Sequence, residues 1–519
     1  MRLLGNEHAL KESGLLASDS SNASVLERIL PCKTTAGKAT TRVWLAGCTT
    51  SASLLRSRAA FLRRLQNSNI HEELKDVLES AAEAETIVAE LAQEEESVLS
   101  SHADAQIYFQ GDLTRPLNLI PYVIAIFTAL KIYVAPLLAL CLPIILCVMP
   151  YVLLTGLMNM PIPWETYKHI LFQYILGINP AEPWTLKQIL KLVWGIASFG
   201  QGILQPVMTS YHSAKLRDGY MRYAEAIATY TKCVEKCATI FSSEAKTRMP
   251  SLPAIPTDPY VLVDWWRREK TVGEHYRELL GYYDLMYTLA SDRRWRPATF
   301  TRGGRGLTLR EFRDVLLAEE KAVPSSVILE SHTLFTGPNR GGKSSALRGI
   351  LQAVLCAQSF GATWGAELCI GTPFRRLYTR LVATDVPGCK SLFESDVAFA
   401  LDVLRGADRG PTLILIDELF HSTNPRDAEA SAGYFLRQLW SRNSNIVSMI
   451  STHMFNLLEQ ATTANVNLLC VPAYPRKEGT LEYSYSVCPG VCMESSVAEV
   501  WSSFVEKSAP APVPYVSAS

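Results

Sequence analysis

Apolar residues recur with three different rhythms along this chain. From 52 to 110 they fall at helical spacing: Leu54, Leu55, Phe61, Leu62 and Leu65 make one stripe, and His71 to Leu99 continues in Ala, Glu and Leu. The rhythm returns from 208 to 245 through Leu216, Met221, Ala224 and Ile227, and from 260 to 292 through Leu262, Trp265, Trp266, Tyr276, Leu280 and Leu285. Pro250, Pro253, Pro256 and Pro259 separate these two stretches. The second rhythm is unbroken apolarity: between Arg115 and Glu165 the only charged residue is Lys131. The third is that of short buried strands, one ending at Leu334 and Phe335, one over 411–416 and one over 446–450. Residues 1–51 are rich in Ser, Thr and Ala with weak periodicity and predict a flexible extension without a signal-peptide core; 506–519, rich in Pro, Ala, Val and Ser, predict a disordered tail.

A membrane-spanning helix needs about 20 apolar residues, and the stretch from 116 to 160 holds more than twice that. It predicts either a hairpin, 117–134 and 137–158, with prolines at 136, 143 and 150 kinking the second span, or one long span, 134–158, after an interfacial segment. Residues 169–179 and 188–207 are also apolar, with Trp184 and Trp194 suited to an interface, and predict amphipathic segments lying on a membrane or packing on the rest. Lys168, Lys187 and Lys191 on one side, and Arg56, Arg58, Arg63, Arg64 and Arg115 on the other, place both flanks on the same, cytosolic face, which favours the hairpin and a multi-pass, two-span membrane protein.

The chemistry is concentrated after the first of the short strands. Residues 336–345 read Thr-Gly-Pro-Asn-Arg-Gly-Gly-Lys-Ser-Ser, a phosphate-binding loop of the form GxxxxGK[ST]. Gly337 and Gly342 let the backbone curl its N–H groups toward phosphate oxygens; Pro338, Asn339, Arg340 and Gly341 complete the cradle. Lys343 reaches the β- and γ-phosphates, Ser344 offers a hydroxyl to Mg²⁺, and the helix from Ser345 presents its positive end. The run 411–418 ends in Asp417 and Glu418, a Walker B pattern in which Asp417 serves the Mg²⁺ shell and Glu418 polarises the attacking water. His453 follows the next strand and is a candidate γ-phosphate sensor. A nucleoside triphosphate and Mg²⁺ are therefore the expected ligands.

These residues closely resemble the MutS-type ATPases of the ABC superclass. Thr336 to Ser344 match the family's TGPNxGGKS throughout; 377–381 with Asp385 resemble its IFTRIGAxD strand; 388–393 resemble its GxSTF signature, 417–427 its DELGRGTSTxDG segment, and 451–453 its ATH switch. The ordered match covers roughly 280–502. The resemblance implies an α/β P-loop NTPase domain (299–505) C-terminal to an all-α, lever-like region (52–115 and 161–298) that carries the transmembrane hairpin at 116–160. It implies that the nucleotide is ATP. It also implies a homodimer or MutS-like heterodimer, because the signature serine, Ser391 here, acts in trans on the opposite subunit's nucleotide. Departures are local: Asp396 stands where relatives carry Glu, and Phe420, His421 and Ser422 replace Gly-Arg-Gly.

Composition narrows the function. The 519 residues carry 50 basic and 50 acidic side chains, so no global field advertises nucleic acid. Nothing near the start resembles the family's Phe-x-Glu mismatch wedge, and the excursion between the levers is hydrophobic where a DNA clamp would be basic. Trp265 and Trp266 beside Arg267, Arg268 and Lys270 read as packing with a solvated turn, and Arg293, Arg294 and Arg296 as surface. The twelve cysteines contain no CxxC pair and read as reduced thiols. The expectation is a membrane-anchored ATPase with lipid as a partner; the alternative is a mismatch or branched-DNA binder, for which DNA is a possible partner. An ABC half-transporter would need more spans and an LSGGQ signature.

Overall fold

The computed structural model describes residues 3–17, 24–68, 71–94, 107–109, 111–176, 185–245, 250–301, 303–381, 392–421, 423–442, 445–476 and 481–497. Residues 382–391, which hold Asp385 and most of the signature including Ser391, lie outside them, as do Trp184, Ser422 and the tail 506–519. The chain is mixed α/β and divides into two units, one made of 1–78, 237–249 and 278–519, the other of 79–236 and 250–277.

The first unit is built on six strands in the order Cys488–Pro489, Asn467–Cys470, His332–Thr336, Ile446–Ser451, Thr412–Asp417, Arg376–Arg380. All neighbours are parallel except the 488–489 edge. Parallel strands covered by helices on both faces lose their polar alternation, and Thr412–Asp417 is accordingly buried along its length until Asp417. Helices Leu392–Gly406, Pro425–Trp440 and Leu457–Thr463 supply one hydrophobic cluster with Leu334, Ile414 and Ile416. A four-stranded sheet, formed by 299–300, 367–370, 307–312 and 325–329, lies in the same unit.

The N-terminal segment differs from the flexible extension expected over 1–51. It forms α1 (Asn6–Ser13), α2 (Val25–Ile29) and α3 (Thr35–Ala46), followed by α4 (Ala52–Gln66). Leu4 bridges Arg376 in parallel and so lengthens the edge of the six-stranded sheet. α1, α3 and α4 pack on the helix Lys343–Phe360. The Ser and Thr residues that read as a linker are helix caps: Ser24 closes a capping box with Glu27, Thr34 Oγ1 accepts the Gly37 N–H at 2.8 Å, and Ser51 caps α4. Asp284, fully buried, accepts hydrogen bonds from the Thr34 N–H and hydroxyl, both at 2.7 Å, and from the Lys33 N–H at 3.2 Å. The lever-like segment expected over 52–115 is divided between the two units at Leu78.

The second unit is helical. Ile124, Tyr220, Ala224, Ile227, Tyr260 and Val263 share its core. The transmembrane hairpin expected over 116–160 is not formed there. From 123 to 157 the backbone is one helical run, with π-turns at Leu130–Val134 and Leu153–Leu157. Pro136 sits where the hairpin turn was expected, and two local adjustments keep the helix going. The Ala135 N–H reaches back five residues to the Leu130 carbonyl, and the Ile132 carbonyl, which Pro136 leaves without its helical donor, accepts the Ser210 hydroxyl at 2.6 Å. Lys131 lies with its ammonium 4.1 Å from the Phe127 ring centre.

Ser210 belongs to the helix Leu186–Ala245. Ile124 packs with Ala224 and Ile227 while Ile132 meets Ser210, so the two helical runs are antiparallel. Among the described residues one helix, Val123–Leu142, with mean hydropathy 2.2, is long and apolar enough to cross a membrane. The multi-pass arrangement is thus not what the described helices display.

Candidate nucleotide site

The glycine-rich loop joins the central strand His332–Thr336 to the helix Lys343–Phe360, at the carboxyl end of the parallel strands where open α/β sheets place their ligands. Two positions need glycine. Gly337 has φ 150° and a Cβ there would lie 3.1 Å from the Val471 carbonyl oxygen; Gly342 has φ 98° and caps the helix. Arg340 is left-handed at φ 65°, and the Gly341 N–H closes onto the Pro338 carbonyl at 3.1 Å. Asn339 and Arg340 are exposed, whereas Ser344 and Ser345 are half-buried on the first turn. A cavity of about 320 Å³ opens beside the loop, bordered by Val323, Ser325, Arg340, Ser345, Ala346 and Tyr485.

Lys343 is buried and folds back over the loop, donating to the Gly337 carbonyl at 3.1 Å and the Pro338 carbonyl at 3.3 Å. Its Nζ is 2.9 Å from His453 Nε2 and 3.6 Å from Glu418 Oε1. Burial pushes this ammonium below its usual range, with Glu418 and Asp417 pulling the other way. Glu418 Oε1 also lies 2.8 Å from His453 Nε2. A proton on that nitrogen joins His453 to Glu418; without it, the ring accepts from Lys343. The hydrogen bond from His453, opposed by burial and reinforced by the His453 and Lys343 charges, holds the Glu418 carboxyl below the usual carboxylate range.

Sheet register brings in a residue that sequence reasoning passed over. Ser451 pairs with Asp417 across the parallel strands. Its hydroxyl donates to Asp417 Oδ1 and accepts the Glu418 N–H at 3.1 Å. The structure therefore gathers Lys343, Asp417, Glu418, Ser451 and His453 around the loop. Ser451 was visible only as the first letter of a switch motif. The Asp417 carboxylate and Ser344 hydroxyl are hard oxygen donors of the kind Mg²⁺ takes, and Mg²⁺ commonly needs only one or two protein ligands beside phosphate oxygens. Among the described residues no group of three or more His, Cys, Asp or Glu side chains is placed to hold a metal ion.

A family model described as MutS domain V matches residues 333–508. The chain is 32% identical over 173 residues to DNA mismatch repair protein Msh6 of Gallus gallus, a stretch covering 32% of this chain and 13% of that protein. To DNA mismatch repair protein MutS of Thermus caldophilus it is 31% identical over 241 residues, 45% of this chain and 28% of the relative. To the mitochondrial DNA mismatch repair protein MSH1 of Arabidopsis thaliana it is 31% identical over 180 residues, 34% and 16% respectively. The chain thus spans less than a third of the length of these relatives. The likeness supports a MutS-family relationship centred on domain V, the ATPase region of that family.

Proposed function

We propose that this chain, matched over 333–508 by MutS domain V, binds and hydrolyses ATP as a dimer and carries that ATPase on a membrane-seated helical unit. The observation that supports the first half is the meeting of Lys343, Glu418 and His453 within 3.6 Å of one another at the mouth of the glycine-rich loop. In this reading Gly337 to Gly342 cradle the phosphates and Lys343 leaves the Gly337 and Pro338 carbonyls to hold the β- and γ-phosphoryl oxygens. Ser344 and Asp417 would hold Mg²⁺, which when bound would neutralise charge at the phosphates. Glu418 accepts the proton of the attacking water, and His453, hydrogen-bonded to it, registers the γ-phosphoryl group. Ser451 fixes Asp417 and the Glu418 backbone together, so magnesium ligand and base keep one geometry. Ser391 completes the site of the opposite subunit in trans.

The second half rests on what the helical unit exposes. Leu137, Leu138, Ile144, Leu146 and Leu157 on the 123–157 run are all more than half exposed, as are Leu186, Leu190, Trp194 and Leu204 on the antiparallel helix. An apolar surface of this extent in water is a contact surface waiting for an apolar neighbour. Thirty-five helical residues reach about 52 Å, beyond the roughly 30 Å of a bilayer core. Tyr151, Trp164 and Tyr167 cluster near the far end with ring centres 4.8 to 5.8 Å apart, the aromatic grouping that favours a headgroup layer. The ATPase region then faces the cytosol or its equivalent.

The relatives' names favour a second reading, in which mismatched or branched DNA is the effector. One experiment separates them: ATP turnover by detergent-solubilised protein, with heteroduplex DNA, homoduplex DNA and liposomes in parallel. Stimulation by lipid and indifference to DNA are expected. Heteroduplex-specific stimulation gives the second reading the lead, and absence of both turnover and nucleotide binding overturns the ATPase assignment.

A further inference from the structure

We propose that Asp396 is a positioning residue for Glu418, acting through the backbone N–H of Phe420; this rests on the ATPase reading above. The loop after the Walker B strand is strained, because Glu418 and Phe420 sit at φ 51° and 67° without being glycine. Left-handed backbone crowds a side chain's Cβ against the following carbonyl oxygen, so something must hold it. The Ser451 hydroxyl holds the Glu418 N–H at 3.1 Å, and Asp396 Oδ2 accepts the Phe420 N–H at 3.2 Å. Two residues apart, these anchors leave the base little freedom.

Asp396 is itself fixed. It is 4% exposed, and its other oxygen, Oδ1, pairs with the Arg380 guanidinium at 2.7 Å. Arg380 ends the edge strand 376–380, and Asp396 lies on the first turns of the helix Leu392–Gly406. The Phe420 ring, 2% exposed, adds a second attachment to that helix, lying 6.0 Å from the ring of Phe393, and it also meets Phe435 at 6.5 Å. In the motif this segment resembles, the Phe420 position is glycine, free to take the left-handed conformation unaided. Here the loop is clamped by a buried carboxylate and an aromatic wedge, both tied to the helix whose sequence continues directly from Ser391. The carboxylate has one oxygen for each donor, so an isosteric amide must turn its NH₂ toward either Arg380 or the Phe420 N–H and break one bond.

The test compares wild type, Asp396→Asn, Asp396→Glu and Glu418→Gln in the full chain in detergent. Turnover is normalised to the concentration of nucleotide-binding sites, and hydrogen exchange is followed over 417–421. Asp396→Asn is expected to lower kcat 10- to 100-fold while the Kd for MgADP stays within about twofold, with the Phe420 amide losing protection. Asp396→Glu, restoring both acceptors, is expected to recover most of kcat. Wild-type kcat in Asp396→Asn beside an inactive Glu418→Gln sinks the positioning role and leaves the ATPase reading standing. A wild-type chain that neither binds nor turns over nucleotide sinks the reading and the role together. If Asp396→Asn does not fold, the wild-type amide decides: exchange at the rate of an exposed loop overturns the clamp, and slow exchange upholds it.

Discussion

Replacing Lys343 by Ala tests the centre of the site, and the structure sets the size of the effect. Without nucleotide the ammonium is satisfied by the Gly337 and Pro338 carbonyls, 3.1 and 3.3 Å away, in a place where burial disfavours its charge. Deleting it should therefore change the melting temperature of the nucleotide-free protein little. With nucleotide the lysine exchanges those carbonyls for anionic oxygens. Hydrogen bonds of a charged group contribute about 1.5–3 kcal/mol each; two ammonium–phosphate bonds at the strong end of that range, less the two ammonium–carbonyl bonds surrendered at its weak end, leave a net of about 3 kcal/mol. That corresponds to a roughly 100-fold weaker Kd for MgATP. At a ligand concentration 100 times the wild-type Kd, wild type gains about 2.7 kcal/mol from binding and the variant about 0.4 kcal/mol. Differential scanning fluorimetry across a MgATP series, backed by a fluorescent-nucleotide titration, reads both quantities. A nucleotide-induced shift undiminished in Lys343→Ala refutes the phosphate assignment. Collapse of the nucleotide-free protein would instead make Lys343 a structural strut of the loop.

Glu418→Gln is expected to lower turnover by about 10²- to 10⁴-fold, the usual worth of a positioned base, while ATP affinity is kept; undiminished turnover removes Glu418 from that role. His332, at the start of the central strand, has its pKa pushed down to about 4 by burial. Its folded value lies below its unfolded value, so it contributes stability above pH 6.5 that is lost as pH falls toward 4, on the order of 3 kcal/mol in all. Urea unfolding from pH 7 to 4.5 should show that slope flattened in His332→Gln, and an unchanged slope would assign the acid sensitivity elsewhere. Thr34→Ala removes the α3 cap and a hydroxyl bond to buried Asp284, and should cost about 2–4 kcal/mol by chemical denaturation; no change is the result a loose N-terminal extension would give. Ile144→Asp, at a position 64% exposed, should shift the chain out of the carbonate-resistant membrane fraction, since a carboxylate at mid-helix opposes insertion by about 2.5–3.5 kcal/mol. Identical fractionation of variant and wild type would argue against a lipid-embedded helix.

The site was legible in the sequence because parallel strands announce themselves as apolar runs and their tips carry the chemistry. Lys343, Asp417, Glu418 and His453 are short-range readings, each fixed to the end of one strand or the start of one helix. Ser451 and Asp396 depend on register and on long-range packing, which no local pattern encodes. The N-terminal segment was misread for a related reason. Its helices are short and bury only a few residues each, among them Leu10, Leu26 and Leu45, and its caps have the composition of a linker. In the apolar stretch the prolines at 136, 143 and 150 read as kinks in a second span, since an interior proline removes a helical hydrogen bond. A π-turn and the Ser210 hydroxyl supply what Pro136 removes, and Ser210 is 78 residues away from the carbonyl it serves.

The interleaving of the two units along the chain bears on how the molecule comes into being. The helix that follows the glycine-rich loop, 343–360, rests on α1, α3 and α4, so its supports leave the ribosome roughly 300 residues before it does. Closing contacts over so long a separation carries a large loop entropy and slows folding. The early helices must wait, partly uncovered, while the whole apolar excursion is synthesised. Delivery of that excursion to a membrane or a chaperone during synthesis would shorten the effective loop and bring the separated segments of the first unit together. A C-terminal fragment starting near 299 would lack the helices that cover its own core, and its insolubility would report on assembly rather than on the nucleotide site.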